Sequence, residues 1–102
     1  AGALEHIQVC RVNSLLKAID TMHLNGIKVL ATAIQDSQSI QNISFVEPVC
    51  VILGSEDLGV SAPLLKSCDA RIGIPMKGRF ESLNVSVAAG IILYEAMKQR
   101  EQ

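Results

Sequence analysis

The sequence predicts an α/β protein, a parallel sheet with helices on both faces, on three observations. Strand-like apolar runs alternate with helical patterns along the chain, the order in which parallel sheets are wound. Two of those runs, residues 27–34 and 48–54, are almost continuously apolar, as strands covered on both faces are. The final helical stretch, 85–97, is apolar almost all round, and such a helix is a buried one. At 102 residues the chain makes one domain, 1–102, long enough for a core.

Residues 6–12, HIQVCRV, alternate in the manner of a strand. A helix follows, with Asn13 or Ser14 as its cap and Gly26 as its stop. Its Leu15, Leu16, Ile19, Met22 and Leu24 fall near one face. Residues 27–34, IKVLATAI, form a buried strand, and the polar stretch DSQSIQNI after it reads as helix or loop. Residues 48–54, PVCVILG, form the next buried strand. SAPLLKSC is a short helix with Ser61 as cap and Pro63 in its first turn. Residues 70–75, ARIGIP, are the last strand, and Ser82 or Asn84 caps the closing helix. In that helix Ala88, Ala89 and Gly90 let another backbone approach. Close packing there is expected to offset the roughly 1 kcal/mol that a helical glycine costs against alanine. Burying such a helix on all sides in so small a domain calls for a partner subunit.

Hydrophobic residues make up 49% of the chain and charged residues 19%, a balance that excludes a disordered polymer. No apolar run approaches the ~18 residues of a membrane span, and the chain reads as free of secretory and transit signals. The net charge of −1 lacks the basic excess usual in nucleic-acid binders. Any such contact therefore rests on a local patch or on parts beyond this chain. Cys10, Cys50 and Cys68 are widely spaced, without CxxC or zinc-ligand spacing, and are expected as reduced thiols of a cytoplasmic protein. No metal is expected, and His6 and His23 read as structural.

Ligands of parallel sheets sit outside the carboxyl ends of the strands. Three strand ends are then of interest: Ala31-Thr32-Ala33, Gly54-Ser55-Glu56 and Pro75-Met76-Lys77-Gly78. The second lies in VILGSEDLGVS, which approaches the phosphate-loop pattern G-x-x-x-x-G-K-[ST]. Val60 stands where the lysine belongs, and Glu56 and Asp57 would repel a polyphosphate. Neither G-x-G-x-x-G nor G-x-S-x-G occurs. A ligand of cationic or hydroxyl character fits better: Gly54 lets a flat ring approach the backbone, and Glu56 accepts hydrogen bonds. A plain turn, with both glycines serving its geometry, is the alternative.

Read together with IPMKGRFESLNVSVAAGIILYE, this loop resembles two of the three signature motifs of the SpoU (TrmH-like) RNA 2'-O-ribose methyltransferases of the SPOUT superfamily. The second motif is similar to Gly54-Ser55-Glu56 with Gly59, Val60 and Ser61 behind it. The third is similar to Ile74-Pro75-Met76, then Gly78, then the run from Ser82 through Leu83 and Asn84 to Ala88; Glu95 also matches. AGALEHIQVCRV resembles the segment before the family's middle strands, especially in the ribosomal-RNA branch. The first motif, with its asparagine and arginine, has no match, and Arg11 sits in a strand. The resemblance thus implies the carboxyl-terminal part of a catalytic domain, its first part missing, folded with a C-terminal trefoil knot.

The resemblance further implies S-adenosylmethionine as cofactor, held by Thr32, Ala33, Gly54, Ile74, Met76 and Leu83. Ser82 and Asn84 help place the ribose at the head of the last helix, where capping is their other role. Glu56 organises the loops, as an acceptor rather than as the base. Lys77 and Arg79 touch RNA phosphates or are solvated loop charges. The RNA is ribosomal rather than transfer RNA, with guanosine favoured by family habit, and the protein is a homodimer through the C-terminal helix. The alternative is a non-catalytic module that binds cofactor or RNA, or dimerises, without turnover. A generic nucleotide-binding α/β domain without a knot is a third reading.

Overall fold

A computed structural model describes residues 14–55, 58–80 and 83–101, with Arg79 by its main chain alone. The strand expected at 6–12, and with it His6 and Cys10, lies outside the described residues. Helix α1 (Leu15–Leu24) starts where Ser14 Oγ accepts the Lys17 N–H at 3.3 Å. It ends at Gly26, whose φ of 71° is the left-handed conformation favoured after a helix. There the Ile27 N–H reaches back to the Met22 carbonyl at 2.9 Å and that of Gly26 to His23 at 3.0 Å, a Schellman closure.

The chain then forms β1 (Lys28–Thr32), β2 (Gln38–Ser39), a single 3-10 turn (Ile40–Asn42), β3 (Val49–Ile52), α2 (Ala62–Ser67) and β4 (Ala70–Gly73). The sheet order is β2-β4-β1-β3, and every pairing is parallel. Strand β1 is central: Val29, Leu30 and Ala31 are wholly buried. Leu30 and Ile72 join Ile40, Ile43, Phe45 and Ile92 in one core cluster. Alternation turns Val29 and Ala31 to the opposite face, where α1 packs on β1 and buries Ile19. The predicted α/β sheet with a helix on each face is therefore present.

The elements depart from expectation in three places. The strand from Ala70 stops at Gly73 rather than running to residue 75, and it is not the last strand. Beyond it β5 (Pro75–Met76) and β6 (Arg79–Phe80) make a small antiparallel hairpin, pairing Pro75 with Phe80 and Met76 with Arg79. Its turn residues Lys77 and Gly78 both have positive φ, 53° and 82°, the signature of a type I′ turn. Within the stretch read as helix or loop, Gln38 and Ser39 pair with Ile72 and Gly73 as an edge strand, and only the following turn is helical.

The third departure concerns α3 (Val85–Arg100). It is apolar almost all round, yet in the single chain only Ala88, Ile92 and Glu95 are buried. Val87 and Tyr94 are 51% and 64% exposed. The close backbone approach expected at Gly90 is not made within the chain, since a Cβ there would meet nothing within 4 Å. The last turn of α3 is fastened to the segment before β3. Gln99 Oε1 accepts the Phe45 N–H at 2.7 Å, and its amide donates to the Ile43 carbonyl at 2.9 Å and to Glu95 Oε2 at 2.8 Å. Arg100 Nε donates to the Phe45 carbonyl at 2.7 Å. These side chains supply what a neighbouring strand would otherwise give to residues 43–45. Gln99, followed by Lys98 at 3.2 Å, also holds the Glu95 carboxyl below its usual range.

Cys50 and Cys68 are half-buried free thiols, and burial pushes both thiols up, Cys68 with help from neighbouring Asp69. A raised thiol is less often the reactive thiolate. The Asp69 carboxylate accepts the Val29 N–H at 2.7 Å and faces His23 Nε2 at 2.9 Å, while the Asp69 N–H returns to the Val29 carbonyl at 2.7 Å. His23 thus serves to hold the entry of β4 against β1.

Candidate functional site

At the carboxyl edge of the sheet the loop after β3 closes on itself. Ser55 Oγ accepts the Leu58 N–H at 3.1 Å, and the Ser55 carbonyl accepts the Gly59 N–H at 2.9 Å. Gly59 has φ 66°, a conformation that glycine adopts at no steric cost. Gly54 is required for a different reason from the one expected. The backbone that approaches it is the chain's own: a Cβ there would stand 2.7 Å from Gly59 Cα, with the Val60 nitrogen as close. Both glycines therefore serve the turn. Its flank nevertheless faces a cleft, and Thr32 Oγ1 accepts the Gly54 N–H at 3.3 Å, tying the end of β1 to the end of β3.

The cleft measures about 440 Å³, a size typical of small-molecule sites. Of the residues predicted to hold the cofactor, Thr32, Ala33, Gly54, Ile74 and Leu83 line it together. They come from three separate strand ends, which the parallel sheet brings to one edge. Met76 does not line the cleft; it lies on β5, 36% exposed. Glu56 and Ser82 lie outside the described residues. Asn84 is the N-cap of α3, its Oδ1 accepting the Ser86 N–H at 2.9 Å, so its capping role is realised. It does not line the cleft. Lys77 occupies the exposed turn of the β5–β6 hairpin, with Arg79 opposite Met76 in the same hairpin.

Several lining residues were not singled out from the sequence. Phe80 reaches the cleft because Gly73 leaves room for it: a Cβ on Gly73 would fall 2.6 Å from Phe80 Cδ1. Ile34 and Leu58 line the cleft although 53% and 89% exposed. Arg71 lines it from within β4; the signal was an arginine inside an otherwise apolar strand. Among the described residues, no group of three or more His, Cys, Asp or Glu could hold a metal ion. None of their helices is long and apolar enough to cross a membrane.

The molecule is a parallel α/β protein with a largely apolar cleft at the carboxyl edge of its sheet. The chain belongs to the SpoU rRNA Methylase family, whose model matches residues 1–94. It is 40% identical over 100 residues to the 23S rRNA (guanosine-2'-O-)-methyltransferase RlmB of Coxiella burnetii, covering 98% of this chain and 40% of that protein. The fold is similar to the crystal structure of the TrmH/SpoU tRNA modifying enzyme of A. aeolicus, with a TM-score of 0.79 and 37% identity over 88% of this chain and 46% of that one. It is also similar to the SpoU methyltransferase AviRb from Streptomyces viridochromogenes in complex with the cofactor AdoMet, at a TM-score of 0.72 and 30% identity over 85% of this chain and 35% of that one. The chain spans less than half the length of these relatives.

Proposed function

We propose that the chain is the cofactor-binding part of a cytoplasmic RNA 2'-O-ribose methyltransferase that uses S-adenosylmethionine and acts on ribosomal RNA, at guanosine. The observation that carries this reading is the convergence of Thr32-Ala33, Gly54 and Ile74 with Leu83 on one cleft. The donor set fits the cofactor. Ile74 and Leu83 offer apolar contact to an adenine, and the carbonyl oxygens of Ala33 and Gly54 offer acceptors to its amino edge, their N–H groups being given to Ile72 and Thr32. When bound, the cofactor supplies a methyl group activated on a sulfonium.

The chain's own part is to hold the ribose and favour the charge that its 2'-oxygen develops. The first turn of α3 presents unpaired N–H groups and the positive end of the helix dipole. Asn84 uses its Oδ1 as the cap, and its Nδ2 is a separate donor for a ribose oxygen. Ser82 adds a hydroxyl, and Glu56 acts as an acceptor that organises the loops. Met76, on the hairpin, flanks the cofactor rather than lining its cleft. Lys77 and Arg79 contact RNA phosphates and so make binding salt-dependent. The trefoil knot is the frame that holds the three loops together, and the exposed apolar side of α3 pairs with a second copy.

The second reading is a module that binds without turnover, in which Asn84 serves only as the helix cap through its side-chain amide oxygen. Calorimetric titration with S-adenosylhomocysteine, with ATP as control, tests the shared part of both readings. Selective binding is expected, and its absence from folded protein would overturn the enzyme and the cofactor-binding module alike, leaving only a module that binds RNA or dimerises. Transfer of labelled methyl to ribosomal but not transfer RNA separates the enzyme from the binding module, and mapping the labelled nucleotide tests guanosine.

A further inference from the structure

Among the described residues that line the cleft, Arg71 is the one ionisable side chain. Its main chain is not at the strand end. Arg71 pairs with Ala31, one step inside the strand end marked by Thr32 and Ile72, and Ala31 is fully buried. Around it the cleft is built of apolar and backbone surface, including Ile34, Leu58, Ile74 and Phe80. A guanidinium stays charged at every physiological pH and presents a rigid fork of donors matched to a carboxylate. Set half-buried among apolar neighbours, it gains most from an anion that enters with the ligand.

We infer that Arg71 binds the α-carboxylate of the cofactor's amino-acid tail and so selects nucleosides that carry a free amino-acid tail over plain ones. The inference rests on the S-adenosylmethionine reading above. That ligand carries one carboxylate, on the tail remote from its adenine, and Arg71 is the cationic counterpart on the cleft wall. An RNA phosphate is the less suited anion. A polynucleotide backbone is met by exposed cations such as Lys77, whereas Arg71 is half-buried and lies a residue inside the end of its strand. Arg71 is a specificity-determining residue of binding, and no bond is made or broken at it.

The test compares two ligands that share the thioadenosine body. S-adenosylhomocysteine has the carboxylate, and 5'-methylthioadenosine lacks the tail. Calorimetry on the wild type and on Arg71→Gln is expected to show S-adenosylhomocysteine weakened roughly tenfold to a hundredfold with methylthioadenosine unchanged. Arg71→Lys keeps the charge and loses the fork; it is expected to weaken S-adenosylhomocysteine only a few-fold, and it provides the readout if the glutamine variant does not fold. Equal loss for both ligands, or loss for neither, overturns the assignment, because Arg71 then acts through the loops or not at all. If the wild type binds neither ligand, the methyltransferase reading itself falls. If the variant binds both ligands normally but loses RNA, phosphate is the anion and the carboxylate assignment is overturned.

Discussion

Gly54 carries more constraint than any other single position at the candidate site. Its missing side chain is where the Gly59–Val60 backbone passes, so even a methyl group has to push main chain aside. Gly54→Ala is expected to cost about 1–3 kcal/mol, the usual penalty of overpacking, and to weaken S-adenosylhomocysteine binding with it. Thermal melts and calorimetry on the same protein check both. Asp69 sets a second residue-scale expectation. The Val29 amide, partly offset by burial and then aided by His23 and Lys28, holds its carboxyl below the ordinary carboxylate range. A carboxyl lowered on folding contributes stability that is full above its unfolded value, about 3.9, and lost as pH falls through the folded value. Melting temperatures of the wild type and Asp69→Asn should therefore differ most above about pH 4 and converge at lower pH.

Among the elements, α3 presents a conflict between what its sequence favours and what its own chain covers. Gly90 is exposed, and a Cβ there would be free of contacts. In the isolated chain Gly90→Ala should stabilise the helix by roughly 0.5–1 kcal/mol. If a second copy packs its backbone against Ala89 and Gly90, the same change weakens self-association. Denaturant unfolding and sedimentation on one preparation read the two effects, and their opposite signs are the expected outcome. The same scale explains what the sequence made legible. Strand β1 was readable because burial writes a long apolar run into it, while β3 and α3 carry such runs although their own chain covers them only in part. Two-residue strands such as Gln38–Ser39 and the β5–β6 pair are too short to carry a period, and the hairpin was not expected. Strand ends moved by one or two residues because the sheet stops where its neighbour stops, not where apolarity does.

For the whole molecule, topology was the decisive legible feature. Alternating strands and helices imply a parallel sheet, and a parallel sheet implies a site at its carboxyl edge. That inference pointed to the strand ends at Thr32 and Gly54, which line one cleft; the third end it named, Pro75 to Gly78, does not, and Ile74 came from the family resemblance. It did not reach Arg71 or Phe80, whose roles depend on which strands are neighbours. The order β2-β4-β1-β3 is not encoded in any local pattern.

The fastening of α3 to the segment before β3 has a consequence for the order of assembly. Gln99 and Phe45 are joined across 54 residues, so the bond forms only after that long loop is closed. The sheet between Lys28 and Gly73 contains its own shorter closures and can form first. The Phe45 amide is then a single-proton reporter of helix docking. In native-state hydrogen exchange it should open with α3, faster than the amides of β1, which open only with the sheet. Gln99→Ala should release the Phe45 proton selectively, leaving β1 protection unchanged. The C-terminal turn thus works as a latch, the last part to close and the first to report that the protein has begun to come apart.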